Sequence, residues 1–196
     1  MAGGRAAILL AASIGLAGCA SGGGGGIPAP PPPLDLRGAT VMLLPVPAPA
    51  PAQIDRELGF WLTDRGARTT WLLPDELREV VQRSPGWRVR LDALPPGIAD
   101  EGGGDLRVRD PLFREILRLA AVTDADYALL PLQVGVADAA PDLAARGAAL
   151  QLTAALAEVR TGRVLWFGTV RGEPAPEGES YSVASLAEAL ARALLR

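Results

Sequence analysis

Apolar residues occur in short uninterrupted runs at three places in the chain, and each run ends at a proline. The runs are Val41–Pro45, Thr70–Pro74 and Tyr127–Pro131. Apolar stretches of this length are typical of strands buried on both faces, and proline cannot continue the hydrogen bonding of a central strand. The pattern therefore predicts three buried strands, each closed by its proline.

Between and after these runs, apolar residues recur every three or four positions, which is typical of amphipathic helices. Four helices are predicted, beginning after Pro51, at Pro74, after Asp110-Pro111 and near Val183. In the third helix we expect Asp110 to be the cap and Pro111 to occupy the first turn. The expected inward-facing residues are Ile54, Leu58, Trp61 and Leu62; Leu77, Val80 and Val81; Phe113, Ile116, Leu117 and Ala120; and Val183, Leu186, Leu190 and Leu194.

Alternation of apolar and polar positions appears in Ala149–Leu156 and Val164–Val170, on either side of the turn Arg160–Arg163. Such alternation predicts half-buried strands, here joined as an antiparallel hairpin, with Gln151 and Thr153 on the outer face of the first strand. The predicted fold class is therefore α/β (α+β). It consists of a mixed sheet of about four to five strands that includes the C-terminal hairpin, flanked by about four helices.

Residues 1–18 have the layout of a secretory signal, because Arg5 precedes the uncharged run Ala6–Ala17. Twelve helical residues span about 18 Å, which is too short for a hydrocarbon core of about 30 Å. The run ends in Leu16, Ala17, Gly18 and Cys19, a segment that resembles the lipobox of bacterial lipoproteins. The resemblance implies cleavage before Cys19 and acylation (palmitate) of Cys19, which would anchor the protein to a membrane. By the sorting habit of such lipoproteins, the resemblance also implies that Ala20, in place of an aspartate, favours the outer membrane of the cell envelope over the inner membrane. The folded part is expected to face the periplasm.

Residues 19–38 are predicted to be a lipidated tether, and residues 39–196 a single periplasmic α/β domain. The tether contains the glycine run Gly22–Gly26 and the proline run Pro30–Pro33. Glycine makes a linker flexible and proline makes it stiff and extended, and neither run can bury a core. The eighteen residues from Ala20 to Arg37 reach at most about 60 Å when fully extended. The domain is therefore expected to stay close to its membrane.

Composition excludes most catalytic chemistry. The chain has no histidine, lysine or asparagine, and Cys19 is its sole cysteine. Serine triads, Schiff bases and histidine–thiolate zinc sites therefore lack their residues. Carboxylate chemistry remains, but Asp100, Glu101 and Asp105 fit no calcium loop and are expected to be a solvated acidic loop. With a formal net charge of −3, the chain lacks the basic character of nucleic-acid-binding proteins. No catalytic residue, metal or cofactor is predicted.

Two segments towards the carboxyl-terminal end of the chain resemble those of a known family. Asp126–Leu130 and the hairpin Glu158–Trp166, followed by the final helix, resemble the periplasmic α/β domain shared by several envelope proteins. These are the amino-terminal domain of TolB, the penicillin-binding-protein activator lipoproteins and the curli-secretion lipoprotein. The resemblance covers Asp126–Arg196. It implies a non-catalytic module that binds an envelope protein or associates with itself.

Three hypotheses for function follow. The first is a membrane-anchored binding or assembly module whose partner the sequence does not name. Its predicted partner contact is Trp87, which follows the Pro85-Gly86 turn, whereas Trp61 and Trp166 lie in apolar stripes and are expected in the core.

The second hypothesis is a subunit of an oligomeric outer-membrane secretion assembly. In that case Arg114, Arg118 and Arg192 could pair between subunits. The third is a carboxylate-dependent wall hydrolase, which requires two carboxylates about 5 to 10 Å apart in a cleft.

Replacement of Cys19 by serine is expected to leave the domain folded and to release it from membranes, because acyl chains supply the anchoring energy. The measurement is the distribution of the Cys19→Ser protein between membrane pellet and supernatant after a high-salt wash. A variant that still sediments with the membranes would contradict the anchor.

Overall fold

The computed structural model describes residues 31–47, 51–87, 89–94, 97–100, 105–137, 149–174 and 180–195. The predicted leader, Cys19 and the glycine run of the tether lie outside these residues. Across the described ranges, no helix combines the length and the apolar character needed to cross a membrane.

The structure contains a five-stranded mixed sheet, a small two-stranded sheet and four helices, which confirms the predicted fold class. The large sheet has the order β2-β1-β5-β6-β7. In it β1 is parallel to β2 and to β5, and β5, β6 and β7 are antiparallel to one another. The elements are β1 Thr40–Leu43, α1 Pro51–Arg65, β2 Thr70–Leu72, α2 Pro74–Arg83, β3 Ile98–Asp100, β4 Leu106–Val108, α3 Leu112–Thr123, β5 Tyr127–Ala137, β6 Ala149–Glu158, β7 Val164–Arg171 and α4 Ser180–Leu194.

Helices cover the large sheet on both faces. The α1 and α4 helices bury one face, where Leu58 and Leu190 pack with Leu156 of β6. On the other face, α2 and α3 bury Ala128 of β5 and Ala155 of β6. The central strands therefore lie between two apolar layers. The inward residues predicted for α4, Val183, Leu186, Leu190 and Leu194, are all buried.

The prediction that Pro131 closes its strand is wrong, because β5 continues to Ala137. The pairing of β1 with β5 ends at Leu129, so the nitrogen of Pro131 lies beyond the parallel ladder. The register with β6 shifts between Pro131 and Gln133, which marks a β-bulge. Proline is tolerated at bulges and along open strand edges, where no ladder donor is lost.

The predicted cap of α3 is also wrong. The helix begins at Leu112, and the Asp110 carboxylate makes no cap hydrogen bond but accepts one from Arg114 at 2.8 Å. The inward face is shifted as well, since Leu119 is fully buried and Leu117 is 39% exposed. An aspartate can be recruited by a nearby arginine instead of the helix terminus, and spacing in the sequence does not distinguish the two.

Two further differences concern the predicted boundaries. β6 was expected to be half-buried, but Ala155 and Ala157 on its second face are also buried. At the other end, packing extends into the segment predicted as tether. The Leu34 N–H donates to the Leu194 carbonyl at 2.8 Å, and the Leu36 side chain is buried in the core. The folded part of the chain thus includes residues before Ala39.

The turn between β6 and β7 depends on a glycine with positive φ. Gly162 has φ of 70°, and a Cβ placed there would lie 2.9 Å from Phe113. Gly38 has φ of 79°, but a Cβ there would meet nothing within 4 Å. The two positions therefore share backbone strain and differ in crowding.

We expect Gly162→Ala to lower the free energy of unfolding by more than Gly38→Ala does. Each alanine would adopt left-handed backbone, which costs about 1–2 kcal/mol, and at Gly162 the methyl group would also displace Phe113. Urea unfolding of both variants measures the difference. Equal losses would contradict a tight contact between this turn and α3.

Candidate interaction surfaces

The tryptophans occupy different environments. Trp166 is fully buried in the layer beneath α1 and α4, as predicted, and Trp71 is also buried there. Trp61 packs against the same layer but remains partly exposed on α1. Two of these side chains are therefore structural, and Trp61 has one edge at the surface.

Trp87, the predicted partner contact, is half-buried and packs against the layer beneath α2 and α3. Its Nε1–H donates to the Glu115 carboxylate at 2.9 Å, and Arg118 donates to the same carboxylate at 3.0 Å. The ring therefore holds the segment after α2 against α3. A contact between Trp87 and a partner stays a prediction.

The arginines predicted for pairing between subunits each have a carboxylate partner within the chain. These pairs are Arg114 with Asp110, Arg118 with Glu115, and Arg192 with Glu188. In the acidic loop, Asp105 lies 3.5 Å from the guanidinium groups of both Arg107 and Arg163. The described part of this loop thus faces arginine side chains of β4 and of the residue preceding β7.

A buried carboxylate lies where the parallel strands end. Asp55 of α1 is 5% exposed, accepting one hydrogen bond from the Val46 N–H at 2.9 Å and another from Arg78 at 3.1 Å. Arg78 also donates to Asp75 at 2.6 Å and to Asp92 at 2.7 Å. One guanidinium group therefore joins α1, α2 and the short 3₁₀ turn that contains Asp92. We name these four residues the Arg78 cluster.

Burial and hydrogen bonding have different net effects on two members of the Arg78 cluster, Asp55 and Arg78. It raises the pKa of Asp55 above its usual value, against the opposing effect of the Val46 N–H and the Arg78 guanidinium. Desolvation acts to lower the pKa of Arg78, but the hydrogen bonds to Asp92 and Asp55 outweigh it and raise that pKa. Arg78 therefore stays charged. In the described residues, no three cysteine or acidic side chains are grouped so as to hold a metal ion.

The second half of the C-terminal hairpin presents apolar side chains to solvent. Phe167 is 41% exposed and Leu165 is 38% exposed, although their strand also buries Trp166. Beside them the hydroxyl groups of Thr153 and Thr169 share a hydrogen bond of 2.8 Å across β6 and β7. We name Leu165, Phe167, Thr153 and Thr169 the hairpin face. Since α2 and α3 pack over the β1–β5 side of the sheet, the hairpin face is left partly open.

The hairpin face borders the strand that ends the large sheet in the part of the chain that the structure describes. β7 is the last strand of the sheet, and its neighbour on one side is β6. Among the described residues, its start is approached by one isolated bridge from Arg107 to Arg163. Unpaired N–H and C=O groups of an edge strand can pair with another chain. The alternation seen in the sequence predicted a half-buried strand over Val164–Val170, but it did not show that β7 would be an edge.

The helix α1 carries a second exposed aromatic group. Phe60 is 61% exposed, and its ring meets Trp61 edge-on with centroids 5.4 Å apart. The Arg65 guanidinium lies 5.8 Å from the centroid of Trp61. Aromatic and arginine side chains are enriched in protein interfaces. Phe60 was not predicted from the sequence, because it lies outside the inward stripe of α1. Its position next to Trp61, outside that stripe, was the signal that could have identified it.

A groove of about 290 Å³ lies where the tether joins the domain. Its rim carries Arg37, Arg65 and Arg68 together with Asp35. We name it the basic groove, and its full lining is Leu34, Asp35, Leu36, Arg37, Arg65, Gly66, Ala67, Arg68, Thr69 and Leu195. These residues come from three distant parts of the sequence, so no local pattern predicts the groove.

Replacement of Arg78 by glutamine is expected to destabilise the fold by about 3 kcal/mol, since it leaves a buried carboxylate without its cation. Folded Asp55 holds its proton more readily than unfolded Asp55. Its contribution to stability is therefore complete below the unfolded pKa and is lost as pH rises through the folded pKa. Loss of Arg78 raises the folded pKa further, so the destabilisation should be larger near neutral pH than near pH ~4.

Urea unfolding at both pH values measures this effect. The matched control is Arg83→Gln, which removes an exposed ion pair with Glu79 on the same helix and should change stability little. A loss that does not depend on pH would show that the charge on Asp55 is not the cause.

No protein-family model matches this chain, and no curated protein is similar to it at a significant level. Two solved structures from Paraburkholderia phytofirmans are similar to it. One is a PelC dodecamer, with 15% identity over 84% of this chain and 93% of that chain, at a TM-score of 0.46. The other is a dodecamer of a PelC point variant, with 14% identity over 84% of this chain and 94% of that chain, at a TM-score of 0.44.

Proposed function

We propose that this chain is a lipid-anchored, non-catalytic binding or assembly module of the bacterial cell envelope. Acyl chains on Cys19 hold it at the outer membrane, and the folded domain faces the periplasm. The hairpin face, with the free edge of β7, is the surface that contacts the partner. The partner is an envelope protein or a second copy of the chain.

The observation that carries this proposal is the exposure of Phe167 and Leu165 on an edge strand. In the rest of β7, the side chains of Trp166 and Val170 are buried, so the strand is held firmly in place. A rigid edge with apolar side chains offers both main-chain hydrogen bonds and apolar contact area. Such an edge is an aggregation hazard unless another chain covers it. Coverage by a partner accounts for the two exposed side chains.

The proposal takes the module to be non-catalytic, and the bonding of the buried acidic residues is in keeping with this. Asp55 and Glu115 are the buried acidic side chains of the described residues, and each is hydrogen-bonded. Asp55 binds a backbone N–H and Arg78, and Glu115 binds Trp87 and Arg118. A wall hydrolase needs two carboxylates that face each other across a cleft. These two serve different core layers instead.

A subunit of an oligomeric outer-membrane secretion assembly is the second candidate function. The same free edge favours it, because an edge strand that meets a different surface of an identical neighbour builds rings. In this case the partner of the hairpin face is another copy of this chain. The group that this chain resembles, namely the TolB amino-terminal domain, the activator lipoproteins and the curli-secretion lipoprotein, includes both single binding modules and subunits of assemblies.

Leu165→Thr combined with Phe167→Thr is expected to weaken partner binding with little change in stability, since threonine keeps the strand propensity and both side chains are partly exposed. A photo-reactive amino acid at position 167 in cells should form cross-links that are lost in a Leu165→Thr background. The matched control is position 122, because Val122 is 58% exposed on α3, away from the hairpin.

Sedimentation of the acyl-free mature chain then separates the two functions. Concentration-dependent association that the double substitution abolishes supports the assembly, whereas a monomer that still cross-links in cells supports a different envelope partner. Equal cross-linking at positions 122 and 167 would disprove the role of the hairpin face.

A further inference from the structure

The basic groove combines an apolar floor with a positively charged rim. Leu36 is buried at its base, and Leu34 and Leu195 are half-buried along its side. The Leu34 N–H donates to the Leu194 carbonyl at 2.8 Å, which fixes the tether side of the groove to the end of α4. Thr69 fixes the opposite side, because its hydroxyl donates to the Leu36 carbonyl at 3.0 Å. Both walls are therefore held in place.

The rim carries three guanidinium groups and one carboxylate, in a chain whose formal net charge is −3. Arg37 pairs with Asp35, and Arg65 pairs with Glu188 at 2.8 Å. Arg68 is exposed and makes no side-chain hydrogen bond or ion pair within the described residues. The groove therefore has spare donors in a region of local positive charge, which suits an anionic group.

The position of the groove relative to the anchor restricts what that anion is. The groove includes Leu34, which lies fifteen peptide steps after Cys19, with fourteen residues between them. That length spans at most about 50 Å when fully extended. If Cys19 is acylated as proposed above, the groove lies close to the part of the domain from which the chain leaves towards the bilayer, since Leu34 is three residues from Pro31, the first described residue. The anions concentrated at that surface are the phosphate groups of phospholipids.

We infer that the basic groove binds the phosphate of an anionic phospholipid headgroup and so orients the tethered domain against its membrane. Arg68 and the free donors of Arg65 contact the phosphate, and Leu34 and Leu195 contact the adjoining glycerol and first methylenes. The acyl anchor then sets the distance of the domain from the bilayer, and the groove sets which face it turns to the bilayer.

The test uses the mature-length chain, residues 19–196, with Cys19→Ser, so that no acyl chain contributes to binding. Sedimentation with phosphatidylcholine vesicles is compared with that of vesicles that also contain phosphatidylglycerol. We expect binding to the anionic vesicles alone. Arg68→Gln should weaken this binding about fivefold, and Arg65→Gln should weaken it similarly, as for a basic side chain close to an anionic surface.

The matched control is Arg160→Gln. Arg160 is also exposed, also makes no side-chain hydrogen bond or ion pair within the described residues, and lies in the turn before β7. Its loss changes the net charge by the same amount as the loss of Arg68. If Arg160→Gln and Arg68→Gln weaken vesicle binding equally, binding follows the total charge of the chain. That result would overturn the assignment of lipid binding to the groove.

A second arm uses inorganic phosphate, followed by the thermal stability of the same chain. One outcome is that phosphate stabilises the chain, that Arg68→Gln removes this stabilisation, and that the chain does not bind vesicles. This outcome would assign the groove to a soluble phosphate and overturn the lipid proposal. The anchor is tested separately by the acyl mass on Cys19. If Cys19 is acylated but the groove binds no lipid, this inference alone is refuted. If the groove binds lipid but the native protein carries no acyl mass on Cys19, the anchor alone is refuted.

Discussion

The packing of β6 between two helical layers is the interaction on which the other features of this structure depend. Leu152 and Leu156 fill the layer beneath α1 and α4, while Ala155 and Ala157 allow the second layer to approach closely. Large side chains on one face and small ones on the other set the spacing of both layers. Because the second layer covers mainly the β1–β5 side of the sheet, Phe167 on β7 remains exposed. The hairpin face is thus a direct result of how the core is filled.

Local pattern predicted the order and type of the main elements, although the inward face of α3 is shifted. The alternation along β7 predicted a half-buried strand with Trp166 in the core, and the stripe of α4 was predicted residue by residue. Prediction failed at two positions for different reasons. Pro131 lies within a strand because β1 ends before it, and this pairing is not visible in a local window. Asp110 binds Arg114, four residues further on, in place of the helix terminus, and spacing in the sequence does not distinguish these two local outcomes.

The candidate surfaces follow the same division. Alternation predicted the strand that carries Phe167, and lipidation of Cys19 stays a prediction from four consecutive residues of the sequence. The basic groove could not be predicted, because Arg37, Arg68 and Leu195 meet through tertiary packing alone. The Arg78 cluster likewise joins Asp55 and Asp92 from separate elements. Composition limited the chemistry, since a chain without histidine or lysine uses arginine for every cationic role.

The first described residues lie along the end of the domain, which affects how the domain responds to a pull on this end of the chain. The Trp166 indole N–H donates to the Pro31 carbonyl at 3.3 Å, and Leu34 forms a bridge with Leu195. A force applied at Pro31 is expected to break these contacts one after the other, each worth about 1 kcal/mol, before it loads the sheet. The segment from Pro31 to Leu34 can thus be drawn away from the domain while the core stays intact.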